Sequence, residues 1–350
     1  MRQEMFGKLS CSFALAVFVV ALLCTAGEWI LRWQHHRTHE EMAARHPGKD
    51  LCTKPSENQE LIYTYVPNRC GHNSHGYPDR EHAYQKSLGI FRIVVIGDSV
   101  AAGQGIQSDE RFSQILEHKL NDRAPGKFEV ITLARTGYSQ SQELVILENE
   151  AFKYEPDLIL WSYVLNDPAH PVYHNANGEL GQYYFSPESH LAHFFSARLF
   201  VLGEEIKSRN CPWEFHEMLH CVYWDSVRAN FARLSKVGAE HNVRVILVIH
   251  PVFQKGREFR QYSLVNLHQR LHTLAAQNRL PVLDILDAYL GHDPEEIKQS
   301  SPNWYDPWHP NAKGHAVIAY ALESFLRNGG YIPAADSGIV PGERRVPGMN

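Results

Sequence analysis

The chain lacks the short motifs typical of common metal and nucleic-acid sites. It has no HExxH sequence and no paired CxxC, although it contains 21 histidines, some in loose groups at residues 35–39 and 72–75. It also lacks an excess of basic residues, since the formal net charge is −5 and the pI is near 6.5. We therefore expect no nucleic-acid partner and no metal ion, with the histidines as solvated surface groups.

Charge is missing from residues 9–27, a run of 19 positions. Because a spanning helix needs about 20 apolar residues, we predict a short N-terminal tail at residues 1–8 and a transmembrane anchor at residues 9–31. A signal peptide cleaved after Ala26 is the alternative, followed by secretion. The short basic N-terminus favours a cytoplasmic start, which would place the folded domain in the periplasm or outside the cell.

Cysteine is scarce in the rest of the chain, since only four of the six cysteines lie outside residues 9–27. Local pairing of Cys52 with Cys70 and of Cys211 with Cys221 would suit an oxidising compartment. Four separate reduced thiols are the alternative, and the sequence alone permits three pairings.

The remaining chain has the composition of one large domain, with 44% hydrophobic residues over the 350 positions. We predict a polar tether at residues 32–60, a domain at 61–328 and a disordered Gly- and Pro-rich tail at 329–350. Short Val- and Ile-rich runs alternate with helical patterns in the domain, which predicts a parallel sheet buried on both faces by helices. The predicted strands are residues 91–97, 128–134, 156–164, 243–250 and 281–286. The predicted helices are residues 110–123, 141–154, 190–207, 224–241, 264–278 and 309–328.

Residues 168–223 interrupt this alternation and are long for a plain loop. They carry many aromatic residues and one helix-like stretch near residues 190–207. This insertion is either a lid or substrate wall above the sheet, or an ordered unit whose aromatics fill a small core of its own.

Ser99 lies where the first apolar run ends, in the sequence GDSV. A serine hydroxyl needs a base to take its proton and a third group to orient that base. Asp306 and His309, three residues apart in a proline-stiffened loop, supply both: His309 as base and Asp306 as its orienting carboxylate. Taken singly, Asp306 is also a candidate helix cap and His309 a surface histidine.

Acyl transfer also needs hydrogen-bond donors for the oxyanion. Gly137 follows the second strand and Asn166 the third, so their donors could join the backbone N–H of Ser99 in an oxyanion hole. The alternatives are a simple turn glycine and an Asx-turn residue before Pro168.

These four blocks, in order and approximate spacing, resemble the SGNH (GDSL-type) hydrolases over residues 90–328. The resemblance implies a flavodoxin-like three-layer sandwich with about five parallel strands, an acyl-serine intermediate at Ser99, and no metal or organic cofactor. It assigns the oxyanion donors to Ser99, Gly137 and Asn166, and the base and its orienting group to His309 and Asp306. Val100 replaces the family's usual leucine, and Val164 replaces a glycine common two residues before Asn166.

We therefore expect a membrane-anchored esterase that hydrolyses an ester, with a short acyl group, on an acylated glycan or a lipid. An O-acyltransferase acting on an envelope glycan and a lysophospholipase or lipase are the enzymatic alternatives. A non-catalytic binding module is a third class, against which the retained serine, histidine and aspartate argue. The sequence leaves the natural substrate and the oligomeric state open.

Overall fold

The computed structural model describes residues 2–45, 52–169, 188–300 and 304–333. It begins with helix α1 (Arg2–Arg45), which contains the apolar run. Leu15–Arg37 within α1 has a mean hydropathy of 1.8 and is not buried against the rest of the protein, so it is long and apolar enough to cross a membrane. A signal sequence has the same properties.

Five parallel strands form the central sheet, as the alternating pattern predicts. The strands are β3 (Phe91–Gly97), β4 (Phe128–Ala134), β5 (Leu158–Val164), β6 (Arg244–His250) and β7 (Val282–Asp284). Their order is β4-β3-β5-β6-β7, so β3 lies between β4 and β5. Residues 92–97 of β3 and all of β5 are buried, which requires cover on both faces of the sheet.

Helices connect the strands and pack in pairs. They are α2 (Ser99–Ala102), α3 (Phe112–Arg123), α4 (Gln140–Asn149), α5 (His190–Ser208), α6 (Phe215–Val222), α7 (Trp224–Glu240), α8 (Val265–Gln277), α9 (Ile285–Tyr289), α10 (Pro294–Ile297) and α11 (Ala312–Asn328). Helix α3 packs on α11, and α4 packs on α7. The flavodoxin-like α/β fold class expected from the sequence is thus confirmed.

Several predicted boundaries differ from the observed ones by a few residues, and at two of them a side chain caps a helix. The strand expected at residues 281–286 ends at Asp284, whose carboxylate accepts the N–H of Leu286 at 3.0 Å and starts α9. The last helix begins at Ala312 because the side chain of Asn311 accepts the N–H of Gly314 at 3.1 Å. The cap of α11 is therefore Asn311 and not Asp306.

A small hairpin precedes the sheet, in part within the predicted tether. Strand β1 (Thr53–Pro55) pairs antiparallel with β2 (Tyr63–Tyr65), and a disulfide joins Cys52 to Cys70. Residues 32–45 continue α1. Ordered structure thus extends N-terminal of the predicted domain start at residue 61, because the hairpin buries Tyr63 against the main core.

The insertion contains α5 and α6, while residues 170–187 and the tail from residue 334 lie outside the described residues. The second disulfide joins Cys211 to Cys221, so both local pairings are as expected. Buried Ala169, Leu219 and Tyr223 form a small cluster separate from the main core. At this end the insertion therefore has a small core of its own.

Candidate active site

Ser99 begins α2 directly after the carboxyl end of β3. Asp98 caps this short helix, since its Oδ1 accepts the N–H of Val100 at 2.9 Å. A Cβ added at Gly97 would lie 2.8 Å from the Cβ atoms of both Ala101 and Ser162. Glycine at this position therefore lets α2 pack closely on β5, with Ser99 at the tip of β3.

His309 and Asp306 lie beside Ser99 in one chain of hydrogen bonds. The Nε2 atom of His309 is 2.9 Å from Ser99 Oγ, and its Nδ1 atom is 2.8 Å from Asp306 Oδ2. All three side chains are buried. The structure thus brings together the three residues that the sequence predicts as nucleophile, base and orienting carboxylate, in the geometry that proton transfer from serine to histidine requires.

The loop that carries Asp306 and His309 is fixed by backbone contacts. Asp306 Oδ1 accepts the N–H of Trp308 at 2.9 Å and that of His309 at 3.1 Å. Phe253, after β6, donates its N–H to the carbonyl of Pro307 at 2.7 Å. Burial alone would raise the pKa of Asp306, but its hydrogen bonds with His309 and the backbone outweigh burial and lower the pKa. Asp306 therefore stays ionised and suited to stabilise a protonated imidazole.

Gly137 lies just beyond β4, on one side of Ser99. Its φ is 78°, in the left-handed region that favours glycine. Two tyrosines of β2 hold the residue before it: the hydroxyl of Tyr63 donates to the carbonyl of Thr136, and the hydroxyl of Tyr65 accepts the N–H of Thr136 at 2.9 Å. The N-terminal hairpin thus fixes the backbone at Gly137.

Asn166 lies just beyond β5, on the other side of Ser99. Asp167 shapes this turn: its Oδ2 accepts the N–H of Val164 at 2.7 Å and its own N–H donates to the carbonyl of Val164 at 3.0 Å. Val164 is fully buried and so packs into the core beneath the turn. The two predicted oxyanion donors thus follow the strands that flank β3.

Comparison with known proteins identifies the family. A family model described as GDSL-like lipase/acylhydrolase matches residues 95–317, which includes every residue of the site. The chain belongs to this family. It is therefore an enzyme, a serine esterase of the GDSL type, and the resemblance seen in the sequence is confirmed. No curated protein sequence matches the chain.

Solved structures with related folds are distant. A lipase/acylhydrolase from Enterococcus faecalis shares 16% identity with a TM-score of 0.41, over 69% of this chain and 97% of that one. The acetyl xylan esterase AlAXEase shares 15% with a TM-score of 0.44, over 67% and 100%. The esterase EstA from Pseudoalteromonas sp. shares 17% with a TM-score of 0.40, over 69% and 99%. At these values the likeness carries no argument about the substrate of this GDSL-family chain.

Sequence reasoning missed several residues around the site of this GDSL-family enzyme. Tyr63 and Tyr65 lie in a segment without strand periodicity, so nothing local indicated their contact with Thr136. Trp308 has no role in the sequence analysis, yet its Nε1 atom donates to His216 Nε2 at 3.3 Å and so joins the loop to α6. Asp98 was visible in the GDSV sequence, where an aspartate before a small-residue run is a recognisable cap signal.

The expectation that the histidines are solvated surface groups is wrong for several of them, which lie buried in the fold. Burial lowers the pKa of His220, His250 and His315 to about 3 each. His250 Nε2 is 2.8 Å from Ser162 Oγ, and Phe112 donates its N–H to His315 Nδ1 at 3.2 Å. In the described part of the chain, no group of three His, Cys, Asp or Glu side chains could hold a metal ion.

Proposed function

We propose that Ser99 attacks the carbonyl carbon of a short acyl ester, with His309 as general base and Asp306 as its orienting carboxylate. The observation that carries this proposal is the hydrogen-bond chain from Ser99 Oγ through His309 to Asp306. Gly137 and Asn166 follow the two strands adjacent to β3, which ends next to Ser99. We assign these two residues to the oxyanion hole, so the proposed site comprises five residues.

In the first step Ser99 Oγ forms a bond to the carbonyl carbon while its proton passes to His309 Nε2. The carbonyl oxygen becomes an oxyanion that accepts hydrogen bonds from the N–H groups of Ser99 and Gly137 and from Asn166 Nδ2. The ester C–O bond breaks and His309 returns the proton to the leaving alcohol, which leaves an acyl-serine. Water then attacks the acyl carbon, His309 takes a proton from it, and the acid leaves as Ser99 recovers its proton.

The first prediction tests the three side chains as one unit. Ser99→Ala and His309→Ala should each lower kcat by roughly 10⁴–10⁶-fold, and the double variant by little more, because neither group acts without the other. Steady-state hydrolysis of p-nitrophenyl acetate measures this. Ser87→Ala and His118→Ala, both at exposed positions, are matched controls with unchanged kcat. Losses that multiply in the double variant would contradict the assignment.

We infer a location outside the cytoplasm, with α1 as the anchor. Support comes from the apolar length of α1 and from the two disulfides, which persist in oxidising compartments. A secreted form after signal cleavage is the competing arrangement, and it predicts a mature protein that starts near residue 27.

The second prediction concerns the acyl group, which we propose to be short and carried by a glycan near the membrane. The ring centroid of Trp308 lies 6.4 Å from that of His309 and 6.4 Å from that of Trp304, which is half exposed. Such aromatic faces stack on sugar rings, and they also pack on lipid chains. A series of p-nitrophenyl esters with two to twelve acyl carbons decides between a short acyl group and a lipid chain. The assay uses the full-length protein in detergent.

The short-acyl proposal requires kcat/KM to fall as the chain lengthens beyond acetyl. A maximum at about eight carbons or more, where each buried methylene contributes roughly 0.8 kcal/mol, would instead indicate a lysophospholipase or lipase. If the enzyme transfers the acyl group to a sugar, adding a glycan acceptor should yield an acylated glycan, while the rate of p-nitrophenol release stays constant. Ser99→Ala is the control in each assay.

A further inference from the structure

Helix α5 carries a continuous stripe of exposed apolar side chains. Phe195, Leu199, Leu202 and Ile206 follow one another at spacings of four, three and four, which places them on one face of the helix. Between 49% and 68% of each of these side chains is exposed. Soluble surfaces rarely expose such a contiguous apolar patch, so a partner is expected on it.

The end of the apolar run in α1 marks a membrane boundary. The 19 uncharged residues at 9–27 span about 28 Å as a helix, which matches the hydrocarbon thickness of a bilayer. Glu28 is the first charged residue after the run. Trp29 and Trp33 follow it and are exposed, as is typical of the aromatic residues found at a membrane–water interface.

The start of α5 is fastened to this boundary. The carboxylate of Glu28 accepts the N–H groups of His190 at 3.0 Å and Leu191 at 2.8 Å, and the hydroxyl of Ser189 at 3.0 Å. Arg32 donates to the carbonyl of Glu188 at 2.6 Å. This partly exposed set of hydrogen bonds between α1 and α5 sets the height at which α5 starts, at the level of the exposed tryptophans.

We propose that α5 lies on the surface of the bilayer in which α1 is anchored, with the stripe in contact with lipid. This inference rests on the anchor proposed above. Amphipathic helices bind in this way, with the apolar face at the boundary between headgroups and acyl chains and basic residues toward lipid phosphates. Arg198 and Arg209 supply basic groups along and after α5, whereas Lys207 is paired with Glu204 at 2.9 Å. Trp213, just beyond α5, is fully exposed.

Helix α6 connects the stripe of α5 with the active site. The disulfide between Cys211 and Cys221 ties the end of α5 to α6. His216 of α6 accepts the hydrogen bond of Trp308, the neighbour of His309. The disulfide and this hydrogen bond therefore connect the lipid-facing stripe with the catalytic loop.

Nitroxide labels on the full chain test the stripe. Single cysteines replace Phe195, Leu199 or Leu202 in a background with Cys11→Ser and Cys24→Ser, and the protein is reconstituted in vesicles of phosphatidylcholine and phosphatidylglycerol. Collision rates with O₂, which partitions into lipid, and with a water-soluble nickel chelate are measured for each label. The expected O₂-to-nickel ratio is at least about fivefold higher than at an exposed control position.

Two control positions separate the possible outcomes. Leu88→Cys labels a residue outside α5 that is 90% exposed, and Ser196→Cys labels a different face of α5. Stripe labels with the ratio of Leu88→Cys would overturn the proposal. Labels shielded from both reagents would also overturn it, since they would show protein on the stripe.

A label at Val17→Cys separates this inference from the anchor on which it rests. Lipid exposure at Val17 with water exposure along the stripe leaves the anchor in place and refutes the role of α5. Water exposure at both refutes both. Hydrolysis of p-nitrophenyl acetate by the same proteins in detergent reports on the proposed catalytic residues independently of either result.

Discussion

At Gly137 two separate constraints act on one residue. Its φ of 78° is unfavourable for any L side chain, and an added Cβ would lie 2.9 Å from the hydroxyl of Tyr63. Gly126 has a similar φ of 67°, yet an added Cβ there would meet nothing within 4 Å. Comparing alanine variants at these two positions therefore separates the effect of backbone strain from the effect of displacing the loop beside Ser99.

The third prediction uses this pair. Gly126→Ala should lower the free energy of unfolding by about 1–2 kcal/mol, the cost of a left-handed conformation for alanine, and Gly137→Ala by more, because its Cβ also displaces the hydroxyl of Tyr63. Only Gly137→Ala should also lower kcat, by up to about 10²–10³-fold, the effect of losing one oxyanion donor, because alanine keeps the backbone N–H but its Cβ displaces the loop that positions it. Urea denaturation and steady-state kinetics measure the two quantities. Equal kcat for both variants would remove Gly137 from the oxyanion hole.

At the scale of elements, the hairpin of β1 and β2 supports the loop at Gly137. Tyr65 accepts the N–H of Thr136, and its ring stacks on that of His72 with centroids 4.0 Å apart. Tyr65→Phe keeps the ring and removes only the hydroxyl. The substitution leaves the backbone N–H of Thr136 without this acceptor, which should lower the free energy of unfolding by about 1–3 kcal/mol.

The fourth prediction follows from this contact. Tyr65→Phe should lower kcat by about tenfold, the effect of about 1.4 kcal/mol, because a looser loop at Thr136 positions the oxyanion donor less well. The matched control is Tyr84→Phe, which removes a tyrosine hydrogen bond to His75 away from this loop. If both variants lose stability alike and neither loses activity, the hairpin has only a structural role.

The elements also show what the sequence could predict. Strands β3 and β4 have the predicted bounds because their Val- and Ile-rich runs end in small residues that permit a turn. The meeting of Asp306 with His309 was predictable from their spacing and from the stiff loop. The hairpin was not, because its three-residue strands have no periodicity and their partner at Thr136 is more than 70 residues away. Contacts of that kind are set by tertiary packing alone.

At the scale of the whole molecule, buried ionisable groups make stability depend on pH in two opposing ways. His220, His250 and His315 have pKa values lowered by burial to about 3, so they stay neutral in the folded state. An unfolded histidine has a pKa near 6.5, so between about pH 3 and 6.5 the unfolded chain binds more protons and stability falls as the pH falls. Burial raises the pKa of Asp98 and Asp167, and these carboxyls act with the opposite sign.

The fifth prediction isolates the contribution of His315 to the pH dependence of stability. His315→Gln retains an acceptor for the N–H of Phe112 and removes the titrating ring. Relative to this variant, the wild type should lose up to about 1.4 kcal/mol of unfolding free energy for each pH unit below 6. Urea denaturation at pH 6, 5 and 4 gives the difference, and the variant of exposed His118→Gln should run parallel to the wild type. Parallel curves for His315→Gln and the wild type would mean that His315 is protonated in the folded protein, against its complete burial on α11.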